Sequence, residues 1–291
     1  MRTLMLLAAC VAAALLAGAL LAYPLHAGVP PFSGMKFHKA IALTTELTAV
    51  AAIVLFVHAT AGISRAHFGL AFTARSACRD IPIALLAGLV FLAALECLLM
   101  MLGVRVPAPS IDLSVEALSR ALLVALAVGL LVAMIEEALF RGALWSGLEQ
   151  GTNVVIALVV TSGLYAAVHF VKFKPMRPGV DVDWSTGPAL LAEGLTRFSN
   201  PIIIDSFLTL FALGLLLGLI RLVRGHVAQC IGFHAGIVAG LRLAGDLTDH
   251  VPGTRFGFLV NRWDPERGWL ALGMLVATIA GYGLWHRRRR A

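Results

Sequence analysis

The segment ALLVALAVGLLVAMIEEALFR, residues 121–141, decides how this chain is read. Residues 121–135 are apolar throughout, and then two carboxylates and a guanidinium follow on what the pattern predicts to be one continuous helix over 117–148. A charged group at the centre of a bilayer costs about 2.5–3.5 kcal/mol on the mildest scale, so Glu136, Glu137 and Arg141 at that depth need a reason. Neighbours on a helix point about 100° apart, and residues four apart share a face. Glu137 and Arg141 can therefore neutralise each other. Glu136 is left aimed elsewhere with no local counter-ion, available as a proton acceptor. A charge cluster at a helix end in the interface would look the same locally, and the residues around it must decide.

The rest of the chain sets the solvent. Of 291 residues, 59% are hydrophobic and 13% charged, against roughly 25% charged in a soluble domain. Mean hydropathy is +0.89. The expected fold is all-α, a polytopic membrane protein in a single transmembrane domain over 1–291. Apolar runs place eight helices near 3–22, 40–62, 81–103, 117–148, 152–171, 201–222, 226–245 and 268–286, at about 20 residues per span. Prolines mark connections: Pro24, Pro30 and Pro31, then Pro107 and Pro109, then Pro175, Pro178 and Pro188. Asn200-Pro201 pairs a capping side chain with proline at the first helical position. In the longest connection, about 172–200, the sequence allows a short helix near 188–198 lying along the membrane surface.

A net charge of +7 invites a nucleic-acid reading, but the basic residues are scattered between apolar runs and nucleic acid is not expected as a partner. Eight spans put both termini on one side. Arg65, Arg75 and Arg79, then Arg221 and Arg224, then the terminal run Arg287 to Arg290 fall on that side, which the positive-inside rule assigns to the cytoplasm. The opposite loops mix Lys172, Lys174 and Arg262 with Asp181, Asp183, Asp264 and Glu266. Cys10, Cys78, Cys97 and Cys230 form no CxxC pair and read as small hydrophobic residues.

Other ionisable residues in apolar runs are Glu46, Glu96, Asp205, His169 and His234. A lone histidine in an apolar helix is usually a hydrogen-bonded core residue, but two of them beside a buried glutamate pair carry more weight. At 1.5 Å per residue, Glu136 lies roughly 21 Å and His169 roughly 28 Å from the turn at 150. His234 lies about 14 Å past the turn at 225, so the three converge only if the helices are staggered or tilted.

Taken in order, three motifs resemble the CPBP family, the CAAX-protease and bacteriocin-processing intramembrane proteases related to the Ras-converting endopeptidase. They are Glu136-Glu137-x-x-x-Arg141, the aromatic-x-x-x-His from Tyr165 to His169, and the glycine-rich segment Leu213 to Gly225 that leads to His234. The resemblance covers about 130–240 and sets the protease-like core at about 117–245. It implies an intramembrane endopeptidase in which Glu136 activates water as general base with help from His169, Glu137 and Arg141 hold the site, and His234 stabilises the oxyanion. Two positions depart from the family pattern. Tyr165 stands where phenylalanine is usual. Val238 stands four residues after His234, where an asparagine or aspartate is usual, and loss of one oxyanion donor costs roughly 10²–10³ in rate. Gln229 and His226 are candidate substitutes.

Glu136, His169 and His234 could together hold a divalent metal such as zinc with one position open to water. The HExxH spacing is absent, and the family has been described both as metal-dependent and as glutamate-type. The reading adopted is a glutamate-activated water with no obligatory cofactor. The expected partners are the lipid bilayer and a membrane-embedded or lipid-anchored protein or peptide substrate. Richness in Ala, Leu and Gly with terminal arginines gives the chain a bacterial look, and an inner-membrane location is expected. Two other readings stand beside this one: a proton-coupled transporter using Glu46, Glu96, Glu136 and Asp205 as a relay, and a catalytically inactive, protease-derived membrane scaffold.

Overall fold

A computed structural model describes residues 1–109, 111–177, 180–261 and 266–290. Pro178, Arg262 and Asp264 fall outside the described residues. The architecture is all-α. The helices are α1 (Arg2–Gly28), α2 (Phe37–Thr60), α3 (Ala74–Met101), α4 (Val115–Glu137), α5 (Trp145–Gly151), α6 (Val154–Val168), α7 (Thr186–Leu195), α8 (Ile204–Arg224), α9 (Ala228–Leu247) and α10 (Trp269–Arg290). A π-helical turn, Ala138–Leu144, joins α4 to α5 without a break. Among the described residues seven helical stretches are long and apolar enough to cross a membrane, and the protein is an integral membrane protein. The eighth expected span, 152–171, is the shorter helix α6, fifteen residues and so about 22 Å against a hydrocarbon core of about 30 Å.

Caps define several starts. Thr73 accepts the Ser76 N–H, Ser114 that of Ala117 and Asn153 that of Ile156, each satisfying a donor the helix leaves open. Asn200 accepts the Ile202 N–H ahead of Pro201, as the sequence predicts. Gly225 ends α8 at φ 77°, a conformation open to glycine at no steric cost. One proline-based boundary is overturned: α1 runs through Pro24 to Gly28. α3 begins at Ala74, earlier than the apolar run from 81 implied, and also carries a proline, Pro82, inside it. Membrane helices tolerate proline because neighbouring groups re-satisfy the freed carbonyl.

α9 is the axis of the bundle. It lies between α3 and α4 and approaches both at glycines. A Cβ on Gly88 would sit 2.2 Å from the Phe233 carbonyl oxygen, one on Gly236 2.2 Å from that of Leu85, and one on Gly129 2.6 Å from that of Ala235. Small residues allow such backbone approach where lipid supplies no hydrophobic drive. On the far side α8 packs against α6 and α10, so Trp145, Arg141 and Tyr165 are among the largest fully buried side chains. A satellite cluster of Ala19, Ala22, Phe37, Ile41 and Leu191 holds α1, α2 and α7 together. The short helix expected near 188–198 is α7, and it packs on α1: a Cβ on Gly187 would lie 2.0 Å from the Ala19 oxygen.

A short ribbon was not foreseen. Arg105–Pro107 (β1) pairs antiparallel with Thr248–His250 (β2), tying the end of α3 to the end of α9. Buried Arg105 anchors it, donating to the carbonyls of Ala244 (3.0 Å) and Thr248 (2.8 Å) and pairing with Glu96 (3.2 Å) and Glu266.

Candidate active site at the end of α4

The site begins where α4 gives way to the wider π turn, in which hydrogen bonds skip to the fifth residue. Such turns are rare and recur at functional sites. Glu137 closes α4 and Arg141 lies in the turn, and both side chains are 0% exposed. Arg141 Nη1 donates to Glu137 Oε1 at 3.0 Å, and Nη2 reaches the Gly214 carbonyl at 3.4 Å. The guanidinium carbon stands 4.3 Å from the centre of the Tyr165 ring, a cation–π contact strengthened by burial. The expected pair is therefore present.

His234 completes it from α9. Its Nδ1 lies 2.8 Å from the same Glu137 oxygen. A carboxylate paired to Arg141 only accepts, so Nδ1 carries the hydrogen and Nε2 is the nitrogen left for other partners. Nε2 lies 3.8 Å from Glu136 Oε2 and 3.5 Å from the Tyr165 hydroxyl. His169 shows the same division. Its Nδ1 is 2.7 Å from the Tyr165 carbonyl oxygen, which fixes the hydrogen there and leaves Nε2 with a lone pair.

Glu136 behaves differently from its neighbour. Its side chain is 28% exposed against 0% for Glu137, while the Oε2 of each is shielded and accepts no hydrogen bond among the described residues. Glu136, Tyr165, His169, His234 and Val238 line one cavity of about 240 Å³. Glu136 and His169 also line a second, more apolar cavity of about 560 Å³, bounded by α1 and α2 and including Glu46. The two residues thus stand where the chambers adjoin.

Glu136, Glu137, Arg141, His169 and His234 are all brought to one place, and the stagger that sequence left open is realised. Gln229 and His226 are not brought there. The Gln229 oxygen accepts from Arg224 Nε at 2.7 Å, His226 accepts the Ala228 N–H, and neither lines the 240 Å³ cavity. His226 lies in the α8–α9 connection and Gln229 in the first turn of α9, both more than a turn before His234, and they are spent on closing that connection. Glu96 and Asp205 also have structural work: Glu96 pairs with Arg105, and Asp205, in the first turn of α8, accepts from Ser206 N–H (2.6 Å) and Asn261 Nδ2 (2.7 Å). Among the described residues no group of three or more His, Cys, Asp or Glu side chains is arranged to hold a metal ion, so no chemical step is routed through one.

Glu266 and Arg267 also line the small cavity and were missed as site residues. Ser206 Oγ donates to the Arg267 carbonyl (2.8 Å) and Thr209 Oγ1 to that of Gly268 (3.1 Å), which fixes this loop over the site. The sequence signal was there: Ser206 and Thr209 are three apart, one polar face in an apolar helix.

Residues 118–240 match the family model described as type II CAAX prenyl endopeptidase Rce1-like. The match spans less than half of the chain, from early α4 to within α9, and it contains every site residue expected from sequence. The family resemblance read from the three motifs is thereby borne out over that segment. No curated protein and no solved structure matches the chain.

Proposed function

We propose that this protein is an intramembrane endopeptidase that hydrolyses a peptide bond of a membrane-embedded or lipid-anchored protein with a water activated by Glu136. The observation that carries this is the contrast between the adjacent carboxylates. Glu137 is fully buried and holds Arg141 and His234 on Oε1, whereas Glu136 is 28% exposed, lines both cavities and has no hydrogen bond on Oε2 among the described residues.

The chemistry follows from that contrast. A water held between Glu136 and the lone pair of His169 Nε2 gives a proton to Glu136 as its oxygen bonds to the scissile carbonyl carbon. The carbonyl electron pair moves onto oxygen. When the tetrahedral intermediate collapses, the C–N bond breaks and the proton passes to the leaving nitrogen. His234 Nε2, 3.8 Å from Glu136, is placed to relay that proton. Once it holds the proton it donates to developing negative charge, with Glu137 offsetting the charge of the ring. Glu137 and Arg141 hold His234 in position. The fold supports a substrate that stays in the membrane, since the larger chamber is apolar and adjoins Glu136. The description of the matching family points to prenylated C-termini as one substrate class. In this reading both termini face the cytoplasm of a bacterial inner membrane.

The decisive experiment compares the termini of membrane proteins in cells carrying the wild type and Glu136→Ala. New C-terminal or internal termini present only with the wild type are expected. Identical sets of termini would overturn the reading.

A further inference from the structure

Resting on the endopeptidase reading, we infer that the Tyr165 hydroxyl is the neutral hydrogen-bond donor that receives the oxyanion. Hydrolysis of a peptide bond needs a donor aimed at the carbonyl oxygen before charge develops. With neutral rings, His169 and His234 both turn a lone pair toward the cavity, because the hydrogen of each is fixed on Nδ1 by the Tyr165 carbonyl and by Glu137. The Thr209 hydroxyl, also in the lining, is directed at the carbonyls of Asp205 and Gly268. Arg267, also in the lining, is a cation and not a neutral donor, and Val238 offers no donor. Tyr165 does, and its hydroxyl stands 3.5 Å from His234 Nε2, the nitrogen that also lies 3.8 Å from Glu136.

The position is rigid. The residue is 1% exposed. Its ring carries the Arg141 guanidinium at 4.3 Å and meets Phe140 and His169 edge-on at 5.6 and 4.8 Å. A separation of 3.5 Å is long for an O–H···N bond, whose strength falls with distance. The hydroxyl therefore gives up little in turning from His234 to an incoming oxygen, which would sit at about 2.7–3.1 Å. The arrangement puts the attacking water on the Glu136 and His169 side of the scissile carbon and the carbonyl oxygen against Tyr165.

The test uses the full-length protein in proteoliposomes and an internally quenched, farnesylated CAAX peptide as probe, with wild type, Glu136→Gln and Tyr165→Phe side by side. Tyr165→Phe removes one oxygen and keeps the ring, so the thermal unfolding midpoint should hold. kcat should fall roughly 10²-fold with KM unchanged and by a similar factor at every pH. Full kcat in Tyr165→Phe, with cleavage abolished in Glu136→Gln, would overturn this inference alone. A displaced limb of the pH profile with an unchanged plateau would overturn it too, because the hydroxyl would then only tune His234. Absence of any Glu136-dependent cleavage would remove the endopeptidase reading and this inference with it.

Discussion

His234 and Glu137, 97 residues apart in sequence, are joined by a 2.8 Å hydrogen bond from Nδ1 to Oε1. This bond locks α9 to the end of α4 and settles which ring nitrogen faces the cavity. The same carboxylate oxygen holds Arg141 at 3.0 Å, so one atom organises charge, tautomer and helix packing.

Removing that carboxylate should be costly. Glu137→Ala leaves Arg141 buried without its partner, and breaking a fully buried pair from one side costs about 3–5 kcal/mol. Expected outcomes are a clearly lowered unfolding midpoint in detergent and no cleavage. A midpoint equal to that of the wild type would show that the pair is not holding the helices.

Glu136→Gln should separate chemistry from folding. Oε2 accepts no hydrogen bond among the described residues, so a neutral amide costs the fold little. Cleavage of a membrane-tethered substrate should fall by at least 10²-fold, the lower end for loss of a general base, while insertion and thermal stability are retained. An active, stable variant would rule out the general-base assignment.

Val238 lines the cavity one helical turn beyond His234. Val238→Asn adds a donor on the face that carries the site, and kcat should stay equal or rise. A large loss with the fold intact would mean that the position packs where a polar group has no room.

Helix packing is testable at glycines. Gly236→Ala puts a methyl group 2.2 Å from the Leu85 oxygen, which rigid backbone cannot yield, whereas Gly273→Ala meets nothing within 4 Å. The first change should lower the unfolding midpoint or prevent accumulation in the membrane. The second should leave the midpoint unchanged or slightly raised, since alanine favours helix by about 1 kcal/mol over glycine. Equal behaviour of the two would refute close α3–α9 contact.

What sequence revealed and what it hid divides along physical lines. The Glu137–Arg141 pair was legible because four-residue spacing is fixed by helix geometry. The order of the spans was legible because twenty-residue apolar runs have few other uses. Proline misled at Pro24, since the rule that ends helices in water is weaker where neighbours repair the lost bond. The meeting of His234 with Glu136 depends on tilts set by glycines on three different helices, which no local pattern encodes. Arg267 was hidden for a related reason: it reaches the cavity from the loop before α10, held there by Ser206 and Thr209 of α8. Gln229 and His226 looked suitable by type but lie in the first turn of α9 and in the connection before it, away from the site.

The Glu137–Arg141 pair also has a consequence for biogenesis. Its members lie in one helix and can meet as soon as that helix forms, whereas His234 is synthesised 97 residues later, about 5–20 s at ordinary translation rates. During that interval α4 must enter the bilayer with Glu137 and Arg141 already aboard. By neutralising each other locally they make the segment insertable before the helix that completes the site has left the ribosome.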